Sequence, residues 1–84
     1  MDKLLISIYV LYLEKSFDLL IPINISVKDA ISLIQSSIKE LSNNAYEVNV
    51  NAVLFDEIGR VINENNIVKF SGLKNGSKVM LVWV

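Results

Sequence analysis

Few side chains in this sequence could do chemistry, and their types exclude most catalytic reactions. Histidine and cysteine are absent, which removes the commonest general base, the strongest nucleophile and the usual ligands of zinc, copper and haem. Asp56 and Glu57 form the one candidate carboxylate pair. They are adjacent residues of a turn, which is a poor arrangement for acid–base catalysis or metal binding, and a solvated turn is the simpler interpretation. The sequence therefore predicts no catalytic residue, no metal site and no cofactor, and so no enzyme.

The charged residues give no sign of a nucleic-acid partner. Lys69, Lys74 and Lys78 cluster late in the chain, but acidic residues nearby offset them. The formal net charge is −1, from 8 basic and 9 acidic residues, whereas a nucleic-acid-binding domain usually carries a basic excess. We expect no nucleic acid among the partners.

Length and composition predict a single folded domain over residues 1–84. A chain of 84 residues has room for one core and buries about 60–65% of its unfolded surface. Hydrophobic residues make up 52% of the chain and charged residues 20%, which excludes intrinsic disorder. The apolar share is high for so small a protein and requires an explanation.

The apolar run at residues 4–13 resembles the core of a signal peptide. Asp2 offsets the charge of Lys3, and no small-x-small cleavage site follows the run. The run is also shorter than the roughly 18 residues that a membrane span requires. We expect a buried strand, no direct membrane insertion and a cytoplasmic protein.

Two alternating segments at the start of the chain predict a β-hairpin. Residues 4–12 and 17–23 each place apolar side chains on one face. Folding the chain about residues 14–15 pairs Tyr12 with Phe17 and Ile8 with Ile21, and both apolar faces then coincide; a four-residue loop keeps this register. Pro22 cannot donate a ladder hydrogen bond, so the second strand is predicted to be an edge.

A helix is predicted next. Ser26 is a suitable N-cap, with Asp29 three residues later. Residues with helical spacing then form one apolar stripe: Val27, Ala30, Ile31, Ile34, Ile38 and Leu41. The helix should end near residues 42–44, with its stripe against the inner face of the hairpin.

The following region has two possible facings. Residues 46–54 alternate in one parity, whereas Val53 and Phe55 take the other, so a loop or bulge near residues 49–51 could switch the faces. If Val53 and Phe55 point inward, Leu54 points outward. Residues 60–62 suggest a short strand, and residues 67–73 a connector with one helical turn.

The last strand predicts the architecture. Residues 78–84 are apolar on both faces, which is typical of a central strand. The order of elements then corresponds to the α+β class: a β-grasp, or ubiquitin-like, domain with one helix packed across a mixed sheet of four to five strands. The right-handed crossover through the helix agrees with it.

Three stretches of the sequence resemble the YukD/EsaB family, the ubiquitin-like proteins of type VII (WXG100) secretion systems. They are residues 17–22 leading into 27–31, residues 59–65, and residues 72–77 followed by Val79 and Leu81. Ser71 stands where the family commonly has an aromatic residue. The resemblance is in core and turn positions rather than in any catalytic motif.

This resemblance implies a cytosolic accessory component of a secretion apparatus that acts through protein contacts. Two other classes remain as alternatives. A ubiquitin-like modifier or sulfur carrier requires a flexible tail ending in Gly-Gly, whereas residues 81–84 read Leu-Val-Trp-Val. A small effector subunit of an enzyme complex, such as an oxygenase, is the other.

The outer face of the sheet is the candidate binding surface. If Val79 and Leu81 face the helix, their neighbours on the last strand face outward, in positions that resemble the apolar patch of ubiquitin. The candidate protein-binding residues are Leu54, Met80, Val82, Tyr9 and Leu20. Contiguous exposed apolar surface usually marks an interface. A solvated sheet face and a homodimer through this face remain alternatives.

Overall fold

Four strands and one helix are the main elements of the part of the chain that the structure describes. The computed structural model describes residues 2–84. In chain order the elements are β1 (Lys3–Val10), β2 (Lys15–Pro22), α1 (Val27–Leu41), β3 (Ala52–Phe55), a 3₁₀ turn (Val68–Phe70) and β4 (Lys78–Trp83). The sheet order is β2-β1-β4-β3, with β4 parallel to β1 and antiparallel to β3. The predicted mixed sheet is confirmed at four strands, and β4 is central.

The hairpin has the predicted faces but a different register. Ile8 pairs with Phe17, four positions before the predicted partner Ile21. The chain turns earlier, over residues 11–14, and Glu14 takes a left-handed φ of 53°. Because the shift is an even number of residues, each side chain keeps its face. The predicted pairing of Tyr12 with Phe17 is therefore wrong, and Tyr12 lies in the loop.

β2 is an edge strand, as Pro22 predicts. The N–H of Ser7 donates to the Ser77 carbonyl at 2.9 Å, so the odd-numbered residues of β1 direct their backbone groups toward β4. The even-numbered residues of β1 bond to β2, and Lys3 pairs with Pro22 across that ladder. Pro22 therefore presents its nitrogen, which carries no hydrogen, to the open edge.

The helix begins and ends as its sequence predicts. Ser26 caps it by accepting a hydrogen bond from the Asp29 N–H at 3.0 Å. Ser42 is the C-cap, and Asn43 and Asn44 follow with left-handed backbones. The stripe is buried against the sheet except for Leu41, which lies exposed at the last helical position.

The region of residues 46–55, which the sequence left with two possible facings and a possible loop near residues 49–51, is mostly a loop. Only Ala52–Phe55 forms a strand. Tyr46 is fully buried, whereas Val48 and Val50 are exposed although they share its parity. The predicted short strand at residues 60–62 is reduced to one bridge, between Phe55 and Val61.

The turn before β4 contains Asn75 and Gly76, two residue types that favour turns. Gly76 has a φ of 89°, a left-handed conformation that glycine adopts without steric cost. Its N–H donates to the Leu5 carbonyl at 2.7 Å, and the Asn75 side chain accepts the N–H of Leu5 at 2.8 Å. These bonds align β4 beside β1.

One core lies between the sheet and α1. Its buried members come from every element: Ile6, Ile8, Val10, Ile21, Val27, Ala30, Ile31, Ile34, Ile38, Tyr46, Ala52, Leu54, Ile62, Val68, Val79 and Leu81. Among the described residues, no helix combines the length and apolar composition that a membrane crossing requires.

Candidate protein-binding surface

The two faces of β4 separate core from surface. Val79 and Leu81 are buried under α1, as predicted. Lys78, Met80 and Val82 therefore project from the opposite, outer face of the sheet, because successive side chains of a strand alternate. Met80 is 37% exposed and Val82 is half-buried. The predicted outward facing of Met80 and Val82 is confirmed.

Leu54 is a correction to the predicted surface, since its side chain is 1% exposed and belongs to the core. It pairs with Leu81 across β3 and β4, and paired residues project to the same face of a sheet. Val53 and Phe55, which the alternative facing placed inward, are instead the outward residues of β3. The prediction failed because the residue at which the preceding loop ends and β3 begins decides which side chains of β3 face the core.

These corrections define a continuous apolar area on the outer face. Tyr9 pairs with Met80, and Met80 pairs with Phe55, which gives one row across three strands. Val53 and Val82 form the adjacent row. We call this group of five residues the outer patch: Tyr9, Val53, Phe55, Met80 and Val82.

Leu20 lies outside the outer patch. Ser7 pairs with Asp18 on one side and with Lys78 on the other, so a polar row crosses the face. Leu20 pairs with Leu5 beyond that row and is 61% exposed. Tyr9 therefore extends the apolar area as predicted, whereas Leu20 belongs to a separate apolar pair at the edge.

A buried polar cluster fixes the end of the sheet behind the outer patch. The Tyr46 hydroxyl donates to Gln35 Oε1 at 2.6 Å and accepts a hydrogen bond from Trp83 Nε1 at 2.8 Å. The Gln35 side chain also forms two hydrogen bonds with the Asn49 backbone: it accepts the N–H at 2.8 Å and donates to the carbonyl at 3.0 Å. A polar residue buried in this way is satisfied at every atom.

Gln35 is not part of the predicted apolar stripe of α1, so the sequence did not identify it as a core residue. It is the buried polar residue of the core, at 3% exposure. The available signal was indirect: Tyr46 and Trp83 each carry a polar atom that needs a partner when buried.

Tyr12 and Trp83 complete this cluster. Their rings stack with centroids 4.2 Å apart, and Tyr46 meets Trp83 edge-on at 5.6 Å. Burial raises the pKa of Tyr46 above its ordinary value, against a smaller lowering by the Trp83 hydrogen bond. Trp83 is thus occupied in packing, as expected from its place in the last strand.

The candidate carboxylates have a structural use. Asp56 accepts the N–H groups of Arg60 at 2.9 Å and Ile58 at 3.1 Å, and Arg60 Nε lies 3.3 Å from its second oxygen. The backbone N–H of Arg60, followed by that of Ile58 and the guanidinium charge, lowers the pKa of Asp56. Asp56 closes a turn, and Glu57 is exposed beside it.

No family model and no curated protein sequence matches the chain. Solved structures do match. A structure described as "Molecular Mimicry of SUMO promotes DNA repair" aligns with a TM-score of 0.79 at 20% identity, over 98% of this chain and 92% of the other. The chain has the ubiquitin-like β-grasp fold.

Two further β-grasp matches come from secretion proteins. The ubiquitin-like domain of the Mycobacterium tuberculosis type VII secretion system protein EccD1 aligns with a TM-score of 0.71 at 13% identity, over 98% of this chain and 99% of that domain. A chain of the MycP5-free ESX-5 inner membrane complex aligns with a TM-score of 0.72 at 11% identity. That alignment covers 100% of this chain and 21% of the other. At these identities the likeness concerns the β-grasp fold.

Proposed function

We propose that this protein is a non-enzymatic ubiquitin-like accessory or regulatory component of a bacterial type VII (WXG100) secretion system, acting in the cytoplasm through protein contacts. The observation that carries the proposal is the outer patch. Its residues lie on three adjacent strands, on the face of the sheet opposite the helix.

The physical properties of the outer patch suit a protein partner. A contiguous apolar area on the surface is costly to hydrate and usually marks an interface. Met80 lies at its centre, and an unbranched thioether side chain adapts to varied surfaces. Leu54 and Leu81, directly behind the patch, are buried, so the backbone that carries it is held by the core.

The type VII assignment rests on two separate supports. One is the resemblance to YukD/EsaB proteins of residues 17–22 leading into 27–31, of residues 59–65, and of residues 72–77 followed by Val79 and Leu81. The other is the likeness of fold to the EccD1 domain and to a chain of the ESX-5 inner membrane complex. The proposed partners are therefore cytosolic parts of the secretion apparatus, with a homodimer through the same face as the competing use of the patch.

Nuclear magnetic resonance titration tests the proposal. The ¹⁵N-labelled protein is titrated with purified cytosolic domains of the type VII apparatus from the same genome. We expect the amide signals of Tyr9, Phe55 and Met80 to move and saturate. Met80→Asp should abolish the shifts, whereas the control Phe70→Asp places the same charge at a residue that is 72% exposed outside the patch and should leave them intact.

Each result that contradicts the proposal rejects a different part of it. Unmoved signals at saturating concentrations of every domain would reject the outer patch as the docking surface. Signals that shift with protein concentration alone would assign the patch to a homodimer. A deletion strain that secretes WXG100 substrates normally would reject the secretion role itself.

A further inference from the structure

The turn before β4 contains a sequence pair that is prone to deamidation. Asn75 precedes Gly76, and it is the one asparagine of the chain that glycine follows. An asparagine loses its side-chain amide in water most readily before glycine, because glycine has no Cβ to shield its backbone nitrogen. Both residues are exposed. Every other asparagine precedes a residue with a side chain, as Asn44 precedes Ala45, so this reaction should concentrate at Asn75.

The reaction consumes water and needs no other reactant. The Gly76 nitrogen gives its proton to solvent and attacks Asn75 Cγ, so that a new C–N bond closes a succinimide ring. The bond from Cγ to Nδ2 breaks, and the leaving nitrogen departs as ammonia with a proton from solvent. Water then opens the ring at either carbonyl, which yields aspartate or isoaspartate. In the isoaspartate product the main chain passes through Cβ and Cγ, and it is longer by one methylene.

The fold holds both reacting groups through a single residue of β1. Asn75 Oδ1 accepts the N–H of Leu5 at 2.8 Å, and the Gly76 N–H donates to the Leu5 carbonyl at 2.7 Å. We call these two hydrogen bonds the Leu5 clamp. The bond from Gly76 holds the proton that its nitrogen must lose. The bond to Asn75 fixes the side-chain amide against β1, so the amide must leave Leu5 before it can turn toward the Gly76 nitrogen.

The Leu5 clamp lies at the end of the ladder between β1 and β4. The paired residues of the two strands begin at Ser7 and Lys78, and the Ser7 N–H donates to the Ser77 carbonyl at 2.9 Å. Leu5 is the next residue of β1 that faces this side, and the turn takes the place of a strand as its partner. The ends of such ladders open more easily than their centres. The clamp therefore opens whenever the start of β4 separates from β1.

We propose that Asn75 is a deamidation site protected by the Leu5 clamp, so that separation of β4 from β1 leads to an irreversible change in the chain. An isoaspartate lengthens the turn inside the clamp, and its groups no longer match the N–H and carbonyl of Leu5 together. β4 is a central strand, and its Val79 and Leu81 lie in the core. A converted molecule therefore loses the alignment of a strand on which the core depends. This inference does not depend on the proposed function.

Comparison of the folded and the unfolded chain tests the protection. The 84-residue protein is incubated folded in buffer and unfolded in guanidinium chloride, at the same mildly alkaline pH and temperature. Peptide mapping by mass spectrometry then measures the loss of amide at each asparagine. In the unfolded chain Asn75 should react faster than Asn44 and every other asparagine. In the folded protein Asn75 should react roughly thirtyfold more slowly, the factor expected from two hydrogen bonds of ordinary net strength.

Two substitutions of Leu5 test the clamp itself. Leu5→Pro removes the N–H that Asn75 accepts and leaves the Asn75-Gly76 pair intact, and it should raise the rate in the folded protein about fivefold. This N–H points to the turn rather than to β2, so the hairpin ladder does not use it. Leu5→Ala is the matched control. It keeps both backbone groups and shortens a side chain that is 42% exposed, so the rate should be unchanged.

The products test the consequence for the fold. The isoaspartate form is separated by ion exchange, because loss of the amide adds a negative charge. Its thermal midpoint should lie at least about 5 °C below that of the parent. Asn75→Asp is the control for the charge. It keeps an acceptor oxygen in a turn of native length, so its midpoint should stay close to that of the parent.

Each part of the proposal can be overturned separately. Equal rates at Asn75 in the folded and unfolded chain would overturn the protection, and this comparison needs no variant. A Leu5→Pro protein that folds and reacts no faster than Leu5→Ala would overturn the role of the clamp. An unfolded chain that keeps its Asn75 amide would overturn the site. An isoaspartate form that melts with the parent would overturn the consequence for the fold.

Discussion

The hydroxyl of Tyr46 donates a 2.6 Å hydrogen bond to the side-chain oxygen of Gln35, in the interior between α1 and the following loop. This contact joins residues 11 positions apart and fixes where the loop ends and β3 begins. The facing of β3, and so the composition of the outer patch, depends on it.

Removal of the Gln35 side chain should lower the free energy of unfolding by more than its size suggests. Gln35→Ala leaves the Tyr46 hydroxyl and the Asn49 N–H without their acceptor, so we expect a loss of about 2–3 kcal/mol in the free energy of unfolding. Urea denaturation measures it. The exposed neighbour gives the control, since Ser36→Ala should change the stability by less than about 0.5 kcal/mol. Equal effects of the two substitutions would contradict the role given to Gln35.

Alkaline pH should destabilise the protein through Tyr46. Its pKa is raised by burial, so the contribution is fully present below the unfolded value of about 10. It is lost as the pH rises through the higher folded pKa. Spectrophotometric titration near the tyrosinate band should show one late-titrating tyrosine that is missing in Tyr46→Phe. A titration curve whose alkaline end is unchanged in Tyr46→Phe would contradict this.

The hairpin loop contains a position where glycine should be better than the native residue. Glu14 has a φ of 53°, a conformation that costs an ordinary side chain about 1–2 kcal/mol. Glu14→Gly removes that cost but adds freedom to the unfolded chain, so we expect a net gain of about 0.5 kcal/mol. Asn43→Gly is the control at a φ of 54°; asparagine tolerates this region, and its thermal midpoint should rise less.

Alanine substitutions should distinguish the two faces of the sheet. Leu54→Ala empties a core position and should cost about 2–5 kcal/mol. Met80→Ala acts on the outer patch and should cost less than about 1 kcal/mol. Guanidinium denaturation of both variants gives the comparison. The reverse order of stabilities would restore the facing that places Leu54 outside.

Acid should release the turn that Asp56 closes. The pKa of Asp56 is lowered, first by the N–H of Arg60, so its contribution is present above the unfolded value of about 4. It is lost as the pH falls through the lower folded pKa. Asp56→Asn should therefore melt below the parent at pH 7, and the two melting temperatures should converge toward pH 2. A constant difference across this range would mean that the carboxylate charge is irrelevant.

The sequence predicted which face of the sheet each side chain takes better than it predicted which residues pair between strands. Apolar alternation identified the buried residues of β1, and the two apolar faces of residues 78–84 identified a central strand. The hairpin register was not predicted correctly because Tyr12 stacks on Trp83, a contact between residues far apart in the chain. Local pairing rules give no weight to such a partner.

The candidate surface was predicted in part for the same reason. Met80, Val82 and Tyr9 followed from the parity of strands whose ends were correctly placed. Leu54 did not, because the alternation over residues 46–54 was assumed to switch faces near residues 49–51, whereas the loop there is held by Gln35 and both Tyr46 and Leu54 are buried. The pattern of apolar residues along an amphipathic helix does not reveal that a glutamine is buried.

The central place of β4 has a consequence for the order of folding during synthesis. β1 and β4 are the first and last of the described strands, yet they lie side by side. While the ribosome makes the chain, the hairpin and α1 emerge early, but β1 lacks its second neighbour, and β3 its neighbour in the sheet, until β4 has left the exit tunnel. We therefore expect the nascent chain to stay without a closed core until then, with apolar strand edges exposed to chaperones.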